Sequence, residues 1–338
     1  MKYLKIAIVG GFIVGISLLL YIAGLLYYQT TTSAGAIEKS VIVEIPPGAS
    51  LTHISHILFE KGLIHSPSAF RLLAYFKDKQ KNIQVGEFDL KPTMTPGEIL
   101  EKITTGKALH HSVTIPEGFR IIEINQLLEN KGLTKNNEFL LQARNPDLLK
   151  SLNIANDSLE GYLFPDTYRF TRNTSARSIV EKMLNTFKEK ALKKELVQQA
   201  REMGFNFHEI ITLASIIEKE TGAAEERKMI SSVFHNRLKK NMLLQTDPTV
   251  IYAIKNFDGN LRKKDLSIDS PYNTYKYRGL PPGPIASPGL EAILAALNPA
   301  ESLNLYFVSK QDGHHKFSTN LIAHNKAVRK YQLRRSSR

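Results

Sequence analysis

Two glutamates close an otherwise apolar segment. Ile211, Thr212, Leu213, Ala214, Ser215, Ile216 and Ile217 run straight into Glu218, Lys219 and Glu220, with Thr221 and Gly222 after them. Asn206 suits an N-cap, Glu209 stands three residues on as in a capping box, and Gly222 suits a C′ stop. The spacing predicts a helix of about three to four turns that ends in these carboxylates. A carboxylate in a last turn meets the negative end of the helix dipole and apolar neighbours, and both raise its pKa. An acid kept protonated near neutral pH is what general-acid chemistry requires. A solvated surface glutamate is the plainer reading of either residue, and spacing does not settle which one matters. Glu218 shares a face with Ile211, Ala214 and Ser215, the last two small enough to admit a ligand. Glu220 follows Leu213, Ile216 and Ile217, a face expected to be core. That contrast favours Glu218.

Other chemistries fit less well. His208-Glu209-Ile210-Ile211-Thr212 begins like a zinc-binding helix, but Thr212 stands where the second histidine belongs. His314, His315 and His324 lie near the C-terminus and do not repair that motif. The chain has no Cys, so it offers no thiolate site and no disulfide framework, and its glycines do not form a phosphate-binding loop. No metal and no cofactor is expected.

The acid-bearing helix sits in an ordered context. Ser175 to Glu202 reads as amphipathic helix, and a further helix is expected from roughly Ala223 to Lys240. A tract crowded with turn-formers follows: Gln245-Thr246-Asp247-Pro248-Thr249, Ser270-Pro271-Tyr272-Asn273-Thr274-Tyr275 and Gly279-Leu280-Pro281-Pro282-Gly283-Pro284. Long ordered loops of this kind are usually functional. Their Tyr, Asn, Gln and Asp side chains suit a saccharide, since aromatics stack on sugar faces while amides and carboxylates bond hydroxyls and acetamido groups. Strands are expected at Leu305 to Val308 and at Lys316 to Ser318.

Upstream lies an internal repeat. Val43-Glu44-Ile45-Pro46-Pro47-Gly48 returns as Val113-Thr114-Ile115-Pro116-Glu117-Gly118. Each copy is followed by apolar residues at helical spacing, then by Lys61-Gly62-Leu63 or Lys131-Gly132-Leu133, then by a second helix around Phe70 or Phe139. Val85 to Leu90 reads as a strand, and a short helix is expected to end near Gly106. Modules of this shape are similar in architecture to LysM domains, which bind N-acetylated glycans; a spacer role fits equally.

The 45 Lys and Arg exceed the 32 Asp and Glu. From Ile6 to Tyr28 there is no charged residue, and as a helix this run spans roughly 34 Å, enough for the hydrocarbon core of a membrane. Tyr21, Tyr27 and Tyr28 sit near one end, where interfacial aromatics belong. Lys2 and Lys5 before the run place the N-terminus in the cytoplasm and the remainder outside. Ala34-Gly35-Ala36 resembles a signal-peptide cleavage site, but the apolar run is long for a signal. Positive charge outside the cell, ending in Arg329, Lys330, Arg334, Arg335 and Arg338, suits anionic lipid or an acidic wall polymer better than nucleic acid, and a solvated surface with a frayed tail is the plainer explanation.

Three signatures carry a family resemblance. They are Glu160-Gly161-Tyr162-Leu163-Phe164-Pro165-Asp166-Thr167-Tyr168, Leu213 to Thr221, and Val233-Phe234-His235-Asn236-Arg237-Leu238 running on to Val250. With Ser270 to Tyr275, Gly279 to Pro284 and Asn298-Pro299, these closely resemble the endolytic murein transglycosylase family, also called YceG-like. The resemblance implies a bacterial enzyme anchored in the inner membrane, with a periplasmic catalytic domain that cuts nascent peptidoglycan strands. It places the catalytic glutamate on Glu218 and implies cleft roles for Gln245, Asp247, Tyr272, Asn273 and Tyr275.

The expected fold class is α+β. A cytoplasmic tip (1–5) and a transmembrane helix (6–28) lead through a linker (29–39) to a LysM-like module (40–108). A larger mixed catalytic domain (109–331), including the second repeat unit (109–145), is followed by a basic tail (332–338). The expected partners are glycan strands, the inner membrane and peptidoglycan synthases, with no nucleic acid. The rival reading is a non-catalytic peptidoglycan-binding scaffold of the cell-wall synthesis machinery, which would have no need of an acid in the cleft. The topology is testable: reporter fusions after residue 40 are expected to be active only in the periplasm, and a mature N-terminus near Ile37 would refute a retained anchor.

Overall fold

The computed structural model describes residues 2–152 and 156–333, with side chains from Val9 onward. Met1, at the expected tip, and Arg334, Arg335 and Arg338 of the basic tail lie outside the described residues. The architecture is α+β: among the described residues, α-helices alternate with three two-stranded sheets. Contacts divide the chain into a first unit, Met1–His111 with Arg169–Thr174, and a second, Ser112–Tyr168 with Ser175–Arg338.

The first unit begins with α1 (Lys2–Thr31), whose stretch Val9–Thr31 is long and apolar enough to cross a membrane and has none of its length buried. An unburied helix of this composition is consistent with a single-pass anchor. At its end the Tyr28 ring stacks on His65 with centroids 5.3 Å apart. Strands β1 (Val41–Ile45) and β2 (Gly86–Leu90) pair antiparallel, with Val43 opposite Phe88. Between them lie α2 (Leu51–Glu60) and α3 (Pro67–Phe76), each started by a serine, Ser50 or Ser66, that accepts a backbone N–H of the first turn. Helix α4 (Pro96–Thr105) starts on the reciprocal Thr95–Glu98 capping box. The strand and helix faces bury Val43, Ile45, Leu58, Phe70, Phe88 and Ile99 in one core. The returning segment is tied in where Asn173 Nδ2 donates to Ile45 O at 3.3 Å and Arg172 Nε meets Glu87 at 3.3 Å.

The second copy of the repeat comprises β3 (His111–Thr114), α5 (Ile121–Asn130), α6 (Glu138–Gln142), α7 (Pro146–Lys150) and β4 (Thr167–Phe170), with β3 paired to β4. Backbone geometry matches between the copies. Gly48 and Gly118 have φ of +73° and +76°, and Gly62 and Gly132 have +67° and +66°. Leu63 N bonds Leu58 O, and Leu133 N bonds Leu128 O, each at 3.0 Å. Glycine is required at these four places because the left-handed backbone crowds a Cβ.

The remaining helices are α8 (Ala176–Lys190), α9 (Lys194–Glu202), α10 (Phe207–Glu220), α11 (Arg227–Lys239), α12 (Asp247–Ala253) and α13 (Leu290–Leu297). The chain closes with β5 (Tyr306–Ser309), antiparallel to β6 (His315–Ser318), and α14 (Leu321–Val328). The single helix expected from Ser175 to Glu202 is therefore two. Ala191 and Leu192 both donate to Phe187 O, which closes α8 before α9 begins. Helix α10 packs against α9, α11, α12 and α13, and every residue from Ile210 to Ile217 is buried.

The start of α5 shows how a buried acid supports this unit. Arg120 occupies its N-cap and has no acceptor to offer, so carboxylates from elsewhere take the free amides. Glu123 accepts from Arg120 N at 2.7 Å, and the buried Glu160 accepts from Ile121 N at 3.0 Å. Burial pushes the Glu160 carboxyl up to about 7, against the Ile121 amide and Arg120, which favour its charge. The folded state therefore holds a proton that the unfolded chain releases above the ordinary glutamate range. Stability contributed by that proton is present at low pH and is lost as pH rises from about 4.5 to about 7. Unfolding of detergent-solubilised protein is expected to show this decline, of the order of 3 kcal/mol, and Glu160→Gln, which keeps an acceptor for Ile121, is expected to flatten it.

Candidate active site

Helix α10 starts as its sequence demands: Asn206 Oδ1 accepts from Glu209 N at 2.9 Å, and Glu209 accepts from Asn206 N at 2.8 Å. Its end differs from expectation. Thr221 is the C-cap, with φ −83° and ψ 112°, and Gly222 is not left-handed. Gly222 is needed for close approach instead, because a Cβ there would stand 2.6 Å from Gly313 O.

One face of α10 is bonded along its length to the loop from Pro282 to Gly289. His208 Nε2 donates to Pro282 O at 2.9 Å, which leaves Nδ1 for the Tyr162 hydroxyl at 2.6 Å. Ser215 Oγ accepts from Ile285 N at 3.0 Å, and Glu218 Oε2 accepts from Gly289 N at 3.0 Å. Gly161, at φ +83°, lets Pro284 approach to within 2.3 Å of where its Cβ would be. Ala214 and Ser215 are fully buried. The small residues expected to admit a ligand admit this loop.

Glu218 itself remains half-buried at the helix end. Burial raises its pKa most, the Gly289 amide opposes that, and the Glu117 charge raises it further; Arg227 and Lys219 pull the other way without reversing the sum. Lys219 Nζ is turned to Gly118 O at 3.2 Å. Gly118 N donates to Ser287 O and Ser287 N to Phe119 O, each at 2.8 Å, which fixes the turn after β3 beside the acid. Sequence reading did not single out Glu117 as a site residue. The available signal was Pro116-Glu117-Gly118 in the second repeat, where the first has Pro46-Pro47-Gly48.

Glu220 is turned elsewhere. It lines a cavity of about 540 Å³ together with Arg237, Gln245, Asp247, Tyr275 and Tyr306. The face expected to be core is core as far as Ile217, and α10 is buried on all sides from Ile210 to Ile217. Thr246 Oγ1 donates to Glu220, and the Tyr275 hydroxyl donates to Asp247 at 2.5 Å. Burial raises the Glu220 pKa; the Thr246 bond lowers it and Asp247 raises it, with smaller opposing contributions from His315 and Arg237. Gln245 holds a left-handed backbone, φ +49°, with its N–H bonded to Thr274 O at 3.1 Å.

The structure thus brings three expected cleft residues, Gln245, Asp247 and Tyr275, to the wall that holds Glu220. The other two stand apart from that wall. Tyr272 packs on Tyr252 with ring centroids 4.8 Å apart. Asn273 is fully buried, donating to Leu266 O and Ile268 O and accepting from Tyr275 N.

Known proteins share this arrangement of elements. The YceG-like family model matches residues 43–330. An endolytic murein transglycosylase of Bacillus subtilis (strain 168) is 35% identical over 313 residues, covering 87% of this chain and 85% of that protein. One of Streptococcus pneumoniae serotype 2 is 32% identical over 326 residues, covering 86% of this chain and 58% of that protein. The crystal structure of a YceG-like protein from Listeria monocytogenes is 36% identical, covers 85% of this chain and 98% of that one, and superposes with a TM-score of 0.60. Similarity that runs from the first strand to the last helix, through both repeats and the acid-bearing α10, makes this chain a member of the YceG-like family.

Proposed function

We propose that this chain is an endolytic murein transglycosylase in which Glu218 is the single acid–base residue. The observation that carries the reading is the setting of Glu218: a half-buried carboxyl at a helix end, with one amide donor and a raised pKa. The names of the relatives support the substrate, a peptidoglycan glycan strand cut internally.

Most glycosidases use two carboxylates, one to protonate the leaving oxygen and one to activate water or attack carbon. A lytic transglycosylase needs no external water, because the C6 hydroxyl of the muramyl residue attacks its own anomeric carbon. Glu218 gives its proton to the oxygen joining N-acetylmuramic acid to N-acetylglucosamine, and the C1–O bond breaks. The C6 oxygen bonds to C1, and its proton returns to Glu218. The product carries a 1,6-anhydro ring, and the intramolecular nucleophile avoids the entropy of recruiting a second molecule.

The cavity wall of Gln245, Asp247 and Tyr275, which holds Glu220 and not Glu218, offers amide, carboxylate and phenol groups to hydroxyls and acetamido groups of sugars away from the bond that is cut. Tyr272 and Asn273 act from behind it, shaping the loop that carries Tyr275. The first unit supplies a LysM-like wall-binding module, supported by its two helices between antiparallel strands. Anchored by α1 in the inner membrane with its N-terminus in the cytoplasm, the enzyme acts on periplasmic strands beside the synthases that make them.

The test is digestion of purified sacculi by the detergent-solubilised protein, with mass analysis of the ends. Glu218→Gln is expected to keep its fold and its binding to sacculi while turnover falls about a hundredfold or more. Wild-type products are expected to end in 1,6-anhydro-N-acetylmuramic acid; mainly reducing ends would make the protein a hydrolase. Because only protonated Glu218 can start the reaction, kcat/KM is expected to fall as pH rises through its raised pKa. Full activity in Glu218→Gln would move the acid to Glu220, whose carboxyl faces the cavity.

A further inference from the structure

We propose that Glu117 is a positioning residue for the cut: its carboxylate, seated on the bare Cα of Gly289, keeps Glu218 loaded with the proton that it must deliver. The proposal rests on the reading of Glu218 as the acid.

Gly289 joins the two carboxylates. Its N–H donates to Glu218 Oε2 at 3.0 Å, and a Cβ on it would stand 1.9 Å from Glu117 Oε1 and 2.2 Å from the Glu117 Cδ. With N and Cβ of one residue about 2.5 Å apart, the nearest oxygens of the two side chains lie at most about 7.5 Å from each other. On the other side, a Cβ on Gly118 would be 3.7 Å from Glu218 Cγ, so the turn that carries Glu117 packs directly on the acid. A negative charge at this range disfavours ionisation of Glu218, and Glu117 acts in that direction.

The other charged groups at the acid oppose it. Lys219 of α10 and Arg227 of α11 favour the ionised form, although Lys219 Nζ is drawn to Gly118 O. Asp247 of α12 acts on Glu220 within the cavity, together with Arg237 and His315, and Glu291 in the first turn of α13 is exposed. Beside the larger effect of burial, Glu117 is thus the charged group that raises the proton affinity of Glu218 against two cations. The first repeat provides an internal contrast. Its matching position is Pro47, and the Gly48 beside it would meet nothing within 4 Å.

The experiment measures kcat/KM against pH on purified glycan strands, using detergent-solubilised full chain. Wild type is compared with Glu117→Gln, Glu117→Asp, Gly289→Ala and Glu218→Gln. Gly289 has φ −71° and ψ 166°, which alanine adopts freely, so its new Cβ would displace only the flexible end of Glu117. Both Glu117→Gln and Gly289→Ala are expected to match wild type on the acid plateau and to lose roughly threefold or more on the alkaline limb. Glu117→Asp is expected to fall between. An alkaline limb that coincides with wild type in both variants, or a loss equal at every pH with raised KM, would overturn the proposal and make Glu117 a plain saccharide contact or a bystander. If Glu218→Gln stays active, the acid assignment falls and this inference with it. If Glu218→Gln is dead and the limb does not move, this inference alone fails.

Discussion

The seam between α10 and the loop from Pro282 to Gly289 is the constraint on which the site depends. Its three bonds fall at His208, Ser215 and Glu218, spaced so that they share one stripe of the helix. Each is worth about 1 kcal/mol net, and a charge-assisted bond somewhat more. Leaving the buried Ile285 amide unpaired would be costlier still. The seam explains why α10 tolerates Ser215 in an apolar stretch: its hydroxyl satisfies the Ile285 amide, which packing has removed from water, while His208 bonds an exposed carbonyl at the helix start. The same packing that holds Glu218 also desolvates it. A single amide donor does not offset that desolvation, so position and proton affinity arise from one cause.

Two residues on, Glu220 meets a different environment, and helical geometry is the reason. Positions two apart are separated by about 200° around the axis, so the two carboxylates of one turn point to opposite sides. Glu218 closes the seam, while Glu220 turns to the cavity wall with Thr246 and Asp247. That wall includes Gln245 in a left-handed conformation, which costs of the order of 1–3 kcal/mol for a residue other than glycine. The strain is held by the Gln245 amide on Thr274 O and by the hydroxyl of Thr274, which meets Thr246 N and Thr249 Oγ1. Such over-determination is what holds a strained residue in place.

Local signals were the legible part. The Asn206–Glu209 capping box, the paired Pro-x-Gly turns and the Lys-Gly-Leu stops all depend on backbone rules that operate within a few residues, and each stands where its sequence places it. Composition marked the polar, aromatic loop tract, yet it could not separate Tyr275, on the cavity wall, from Asn273, whose amide is spent inside the loop. Leu213, Ile216 and Ile217 are core as expected, but the small-residue face of α10 is buried too, because hydrophobic periodicity reports a face only when one side meets water and α10 has no such side from Ile210 to Ile217. Strand β4 and Glu117 escaped notice for another reason: both are defined by partners distant in sequence, β3 for the one and Gly289 for the other.

The repeat shows how one local geometry takes on two duties. A left-handed glycine is obligatory in both turns, since the chain must reverse between strand and helix. The residue before it is under no such demand, and there the copies part. At Pro47 the ring stiffens a turn whose glycine has open space beside it. At Glu117 the turn is pinned by Ser287, and a short, charged side chain reaches the bare Cα of Gly289. A side chain at Gly289 would occupy the same space, so the charge at 117 and the glycine at 289 are a single solution. The second repeat unit, expected within the larger domain, therefore reaches Glu218 through one turn, and Glu117 supplies part of the electrostatic field around that carboxyl.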